Sequence, residues 1–220
     1  LAGILFAIEV FGLDLTLSSL LPLFVASLSG VLTSYIFFGN AALLPIYVGD
    51  SFLMHNIPFY LLLGVVGGFM SAYFTFVYEG VNRFFSKFSS AYLRIVIGGA
   101  ILGLLVFVMP PLYGEGHEVI NHLKAGHPEL SISSNIFGWN LENPWVVILL
   151  LGGLVLFKVV ATSVTFGAGG VGGIFSPMLF MGGVMGNCFA RIINQIDILP
   201  YKLPLANFTL IGMTALMTGV

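Results

Sequence analysis

Charge is what this sequence has least of. Of its 220 residues only 7% are Asp, Glu, Lys or Arg, and 58% are hydrophobic. A soluble globular domain carries roughly 25% charged residues. So few charges cannot cover a soluble surface, and an integral membrane protein is expected. The formal net charge is -2 and no basic cluster occurs, which argues against a nucleic-acid partner. Cys188 is the only cysteine, so there is no disulfide framework and no thiolate metal site. A charged leader before an apolar core is also lacking. The first residues, "LAGILFAIEV", and the last, "LIGMTALMTGV", both read as helix interior. A piece of a longer protein is expected.

What is present is apolar length. A membrane helix needs about 20 mostly apolar residues. Candidate spans are Leu13–Phe38, Pro58–Tyr78, Ala91–Met109, Pro144–Ser163 and Ile174–Ile193, with partial spans at Leu1–Phe11 and Asn207–Val220. The fold class is therefore all-α and polytopic. The connections are Gly39–Ile57, Glu79–Ser90, Pro110–Asn143 and Asn194–Ala206. Pro110–Asn143 is the longest and most polar, and short structure of its own is expected there. Arg83 and Lys87, with Arg94 close behind, make Glu79–Ser90 the best cytoplasmic connection. Its two neighbours then face the other side.

Glycine is abundant, at 28 residues. "LLLGVVGGFM" and "IGGAILGLL" place small residues at helical spacing, which predicts close helix packing. The run "GAGGVGGIFSP", Gly167–Pro177, is different, with five glycines, no charge and a Ser-Pro close. Gly167, Gly169 and Gly172 fit G-x-G-x-x-G, but a membrane span precedes them instead of a strand, so a dinucleotide site is not expected. The run reads as a break between two helices. Ser176 is expected as N-cap and Pro177 as the first helical residue. A helix N-terminus at mid-membrane depth has unpaired N–H groups and about half a positive charge, and so attracts an anion. Irregular backbone at that depth survives only inside protein or along a cavity. The candidate anion site is Gly173, Ile174, Phe175, Ser176 and Pro177, with the amides near Ile174 and Phe175 binding. A plain kink at a helix contact is the alternative on these residues alone.

Other polar residues have blander readings. His117 and His122 in "GEGHEVINH" are five apart, about 140° around a helix, which fails the metal spacing. A solvated loop is expected there, with no metal site and no catalytic residue. Lys158 is expected to snorkel to an interface, and Asp14 and Arg191 to lie at interfaces. Glu9 is either a functional group near a span or a helix end emerging into water.

Two segments carry a resemblance. "GGIFSP", Gly172–Pro177, resembles the G-x-F-x-P motif of the CLC family of voltage-gated chloride channels and chloride/proton antiporters. "LAGILFAIE", Leu1–Glu9, resembles that family's P-L-A-G-[IV]-L-F-x-x-E helix, and "YGEGHEVI" is similar to its Y-G-x-G-x-x-x-I pattern. The order and separation fit as well. The resemblance implies an inverted-repeat bundle of tilted and discontinuous helices, in a homodimer with one pore per subunit. Residues 1–57 would end the first repeat and residues 58–220 would form most of the second, with no soluble domain. The helices near Leu1–Phe38, and some near the C-terminus, would supply part of the dimer interface. Main-chain amides at Ile174 and Phe175 would hold chloride, and no cofactor is implied.

The family's G-S-G-I-P and G-R-E-G-P segments, which bring a pore serine and a gating glutamate, do not occur in these 220 residues. Neither does the helix bearing the pore tyrosine. Half of the expected pore wall is therefore missing from the sequence. Glu9 stands at the inner entrance. The next position, where exchangers usually carry an inner proton-relay glutamate, is Val10. Valine holds no proton, so a passive anion channel is favoured over a chloride/proton antiporter. A membrane enzyme using His117, Glu118 and His122, and an Na⁺-coupled transporter with a broken helix, are the remaining alternatives.

Overall fold

The computed structural model describes residues 17–39, 53–127, 141–197 and 199–219. Glu9, Val10, Asp14 and the partial span Leu1–Phe11 lie outside them. Every described element is helical, and the chain divides into two compact units, Leu1–Leu43 and Leu44–Val220. In the first unit α1 runs Leu17–Phe38. Gly39 closes it in the left-handed region, φ 64°, with its N–H on the Tyr35 carbonyl at 2.9 Å. Glycine accepts that conformation without the Cβ clash other residues meet.

The second unit opens with a 3-10 turn, Met54–Asn56, and α2, Ile57–Phe85. Next come α3, Ala91–Val108, a 3-10 turn at Pro110–Leu112, and α4, His117–Lys124. Then follow α5, Pro144–Gly167, α6, Phe175–Ile196, and α7, Leu205–Met217. α5 starts on a clean signal. The Asn143 side chain accepts the Trp145 N–H at 3.0 Å, and Pro144 takes the first helical position, where an N–H has no use. Among the described residues four helices, α1, α2, α3 and α5, are long and apolar enough to cross a membrane.

α6 was expected as a fifth such span, from Ile174 to Ile193. It has 22 residues but is not among the described helices long and apolar enough to cross a membrane. Met178, Phe180, Met181, Val184 and Met185 are all buried, against α5 on one side and α7 on the other. Its contact with α7 is backbone on backbone. A Cβ added at Gly186 would stand 2.0 Å from the Phe208 carbonyl oxygen, and one at Gly182 2.4 Å from that of Gly212. A Cβ on Gly212 would meet the Gly182 oxygen at 2.2 Å. The two glycines four apart on α6 make one face of the seam, and Gly212 the other. The glycines in α2 and α3 do less than their spacing predicts. Gly67 lies against Ala215 and Gly98 against Ala168, whereas Gly64, Gly68, Gly99 and Gly103 face open space.

Two further expectations are corrected. α2 continues past Tyr78 to Phe85, so the connection begins only at Ser86. The cause is Phe85 itself. Its ring is 1% exposed and lies where a Cβ on Gly167 would be 2.6 Å away. The histidine segment is not a solvated loop. It folds as α4, and Val119, Ile120 and Leu123 bury one face against α6 and α7. Arg191 is half-buried, and its Nε donates to Asn187 Oδ1 at 2.7 Å.

Asn187 ties three elements together. It is fully buried on α6. Its Nδ2 donates to the Leu123 carbonyl at the end of α4 and to Thr209 Oγ1 on α7, at 3.2 and 3.0 Å. Asn187→Ala removes the acceptor of the Arg191 Nε and the Thr209 contact, and leaves the Leu123 carbonyl with the Gly126 N–H at 3.2 Å. A loss of about 2–3 kcal/mol is expected, read as a lowered melting temperature in detergent. An unchanged melt would mean that the amide is not structural.

Candidate functional site

The glycine run lies between two helices whose ends are fixed by packing. α5 unwinds through Ala168, whose N–H bonds the Val164 carbonyl at 2.9 Å, and Gly170, whose N–H bonds that of Thr165 at 2.8 Å. Gly169 turns the chain at φ 100°, where only glycine is unstrained. Three small positions are needed because neighbours press on them. Ala168 lies on Gly98, Gly167 on the Phe85 ring, and Gly170 on Thr165. Gly98 is seven residues into α3, about 10 Å from its start. The break in the chain therefore lies at the depth of a spanning helix and not beyond its end. Gly172 and Gly173 differ from these, because a Cβ at either would meet nothing within 4 Å. Their backbone is bare toward open space.

The turn that follows is offset from its expected place. The Met178 N–H bonds the Ile174 carbonyl at 3.0 Å, so Ile174 is the N-cap residue and Phe175 the first residue of α6. Ser176 and Pro177 are the second and third. Ile174 already has right-handed helical angles, φ -81° and ψ -16°, which extends the helix backward past the serine. Pro177 still fits, because the third position also lacks an intrahelical acceptor. Ser176 is consequently not a cap. Its hydroxyl is buried and has no hydrogen-bond partner among the described residues. An orphaned donor in a helix's first turn is costly unless something accepts from it.

A cavity of about 500 Å³ opens beside this turn. α3 contributes Leu102, Gly103 and Val106 to its wall, the chain after α3 Leu112, Tyr113 and Gly114, and α5 Lys158, Ala161, Thr162, Thr165 and Phe166. Gly172, Gly173 and Pro177 complete it. Of the five expected site residues, the cavity thus includes Gly173 and Pro177. Ile174 and Phe175 lie outside it with exposed side chains.

Lys158 was expected to snorkel and does not. It is 4% exposed. It lies 14 residues into α5, about 21 Å along the axis, beside the segment that follows the end of α3. Its Nζ donates instead to the Leu112 carbonyl at 2.9 Å and to the Gly114 carbonyl at 2.7 Å. The signal available in sequence was its isolation in the middle of an apolar span, which favours function over snorkelling. Thr162 and Thr165 carried no such signal. His117 pairs with Glu115 at 2.8 Å. Among the described residues no group of three His, Cys, Asp or Glu could hold a metal ion.

Comparison with known proteins bears on the family. A family model described as voltage gated chloride channel matches residues 1–220. The voltage-gated ClC-type chloride channel ClcB of Citrobacter koseri is 26% identical over 194 residues. That match takes in 87% of this chain and 42% of the relative, so the chain spans less than half the length of the curated protein it matches.

Proposed function

The chain belongs to the voltage gated chloride channel family, a multi-pass integral membrane protein, and on that premise we propose that it forms part of a pathway for chloride. The observation that carries this reading is the turn at Gly172–Pro177. It combines bare glycine backbone, the amide end of a long helix, and the buried Ser176 hydroxyl, beside a cavity. Such a site holds a small anion by dipoles alone. A fixed cation in the same place would bind too tightly for release, whereas conduction needs weak, successive sites. No Lys or Arg occurs between Val159 and Ala190, and the cation in the cavity wall, Lys158, has its ammonium on the Leu112 and Gly114 carbonyls, which supports the dipole reading.

The finer reading is a passive channel, since Val10 cannot relay a proton. In this reading the protein works as a homodimer with one pore per subunit, in a cell or inner membrane. Chloride is its ligand and no cofactor takes part. Residues 1–57 close the first repeat, residues 58–220 make most of the second, and Glu9 stands at the inner entrance. Gating by voltage belongs to the same proposal.

The test uses the full-length protein in chloride-loaded liposomes. Efflux is started with a potassium ionophore, and external chloride and pH are followed together. Chloride efflux with no proton movement is expected. Proton uptake in fixed ratio to chloride would make the protein an antiporter whose inner proton route avoids Val10. No chloride flux from a folded protein would overturn the proposal.

A further inference from the structure

The cavity beside Gly172 and Gly173 has one wall outside the long helices, the segment between α3 and α4, from the 3-10 turn at Pro110–Leu112 to Gly114. Its backbone carbonyls at Leu112 and Gly114 are both taken by Lys158 Nζ. The same ammonium stands over the Phe180 ring, 4.9 Å from its centroid. Phe180 is fully buried on α6, five residues beyond the first residue of that helix. The segment also lies directly on the ring, since Gly116 is left-handed, φ 77°, and a Cβ there would come within 2.0 Å of Phe180 Cδ2. Lys158 thus joins α5, the segment and α6 at one point.

A buried ammonium is an expensive way to fill space. Methionine would occupy a similar volume with no charge to desolvate. What methionine cannot do is donate hydrogen bonds to two carbonyls at once. Without those donors the Leu112 and Gly114 carbonyls would turn toward water, and the wall would move with them.

We propose that Lys158 is a positioning residue for anion passage: it fixes the Leu112–Gly114 backbone as the wall of the cavity that reaches Gly172 and Gly173. The inference rests on the reading of that cavity as part of an anion path. Tyr113, between the two held carbonyls, is 79% exposed and lines the same cavity. It is therefore the natural reporter of where the wall stands.

The experiment is done in the full-length protein with Cys188→Ser, so that Tyr113→Cys carries the reporting thiol in this stretch of chain. A negatively charged methanethiosulfonate reagent is applied with and without chloride, with Lys158 intact and with Lys158→Met. Melting temperature is read alongside. Chloride is expected to slow modification when Lys158 is present. Lys158→Met is expected to change the modification rate roughly tenfold and to remove the chloride protection. In protein carrying Tyr113 itself, Lys158→Met is expected to raise the chloride concentration at half-maximal flux about fivefold or more. A merely structural lysine would lower the melting temperature and leave protection and half-saturation as they were, and that result overturns the proposal. If Lys158→Met does not fold, Lys158→Arg decides. Its longer fork must displace the two carbonyls, so an unaltered modification rate counts against the idea. The thiol readout needs no flux. A protein that conducts nothing would sink the chloride reading, while the modification rate would still report whether Lys158 holds the wall.

Discussion

Gly186→Val is expected to leave the protein unable to assemble its core. The substitution puts a Cβ 2.0 Å from the Phe208 carbonyl oxygen, and Gly212 Cα stands 3.0 Å from the same point. These are backbone atoms and have no rotamer to change. Relief comes only from parting α6 and α7, which share the most extensive contact among the described helices. Parting them uncovers Phe208 and Met213 on α7 together with the glycine face of α6. Overpacking ordinarily costs about 1–3 kcal/mol, and a clash of backbone with backbone is expected at or above that upper figure. Expression of folded protein, judged by gel filtration in mild detergent, is the measurement. Gly68→Ala is the companion. A Cβ there meets nothing within 4 Å, and a change within about 0.5 kcal/mol is expected. If Gly186→Val folds and melts like the parent, the seam is not as close as described.

Phe175→Pro is expected to spare the fold and weaken anion binding. Phe175 is the first residue of α6, a position that proline favours because no intrahelical bond is lost there. The change removes one first-turn N–H from the end of the helix. A hydrogen bond to a charged partner contributes about 2 kcal/mol, or roughly a thirtyfold change in affinity. Proline also disfavours helical angles in the residue before it, and Ile174 has such angles. The chain already accepts that arrangement once, at Ser176 before Pro177. Two controls isolate the amide. Phe175→Ala keeps the N–H and loses the ring, and should bind anion nearly as the parent does. An ester in place of the Phe175 amide removes the N–H with little steric change, and should match the proline variant. Calorimetric titration with chloride reads all three. Equal binding by the folded ester and the parent would remove this amide from the site.

Much of this was legible in sequence. Long apolar runs with few charges predict helices at α2, α3 and α5, and the expected span beginning at Pro144 matches the start of α5. The glycine run announces a break because a continuous helix would not place five glycines in eleven residues before Ser-Pro. What was not legible depended on neighbours distant in sequence. Ser176 reads as a cap because serine and proline have fixed local preferences, yet the Ile174 carbonyl accepts the first helical bond. α2 extends to Phe85 because Gly167, far along the chain, leaves room for the ring. Lys158 reads as a snorkelling residue only if its carbonyl partners are unknown. The α6–α7 seam is written as Gly182 and Gly186, four apart, but the same spacing at Gly64 and Gly68 faces open space. Spacing shows that a close approach is allowed, and only the fold shows where one occurs.

The seam has a mechanical consequence. With α6 and α7 in backbone contact at Gly182, Gly186 and Gly212, and with Asn187 bonded to both α4 and α7, α6 has little slack in which to slide or turn. It acts as a stator. Its amides near Gly182 and Gly186 should be among the slowest in the protein to exchange with deuterium, in the presence or absence of chloride. On the proposed reading, movement during anion passage falls to parts not clamped in this way, and an anion at Gly172–Pro177 would meet a fixed end of α6.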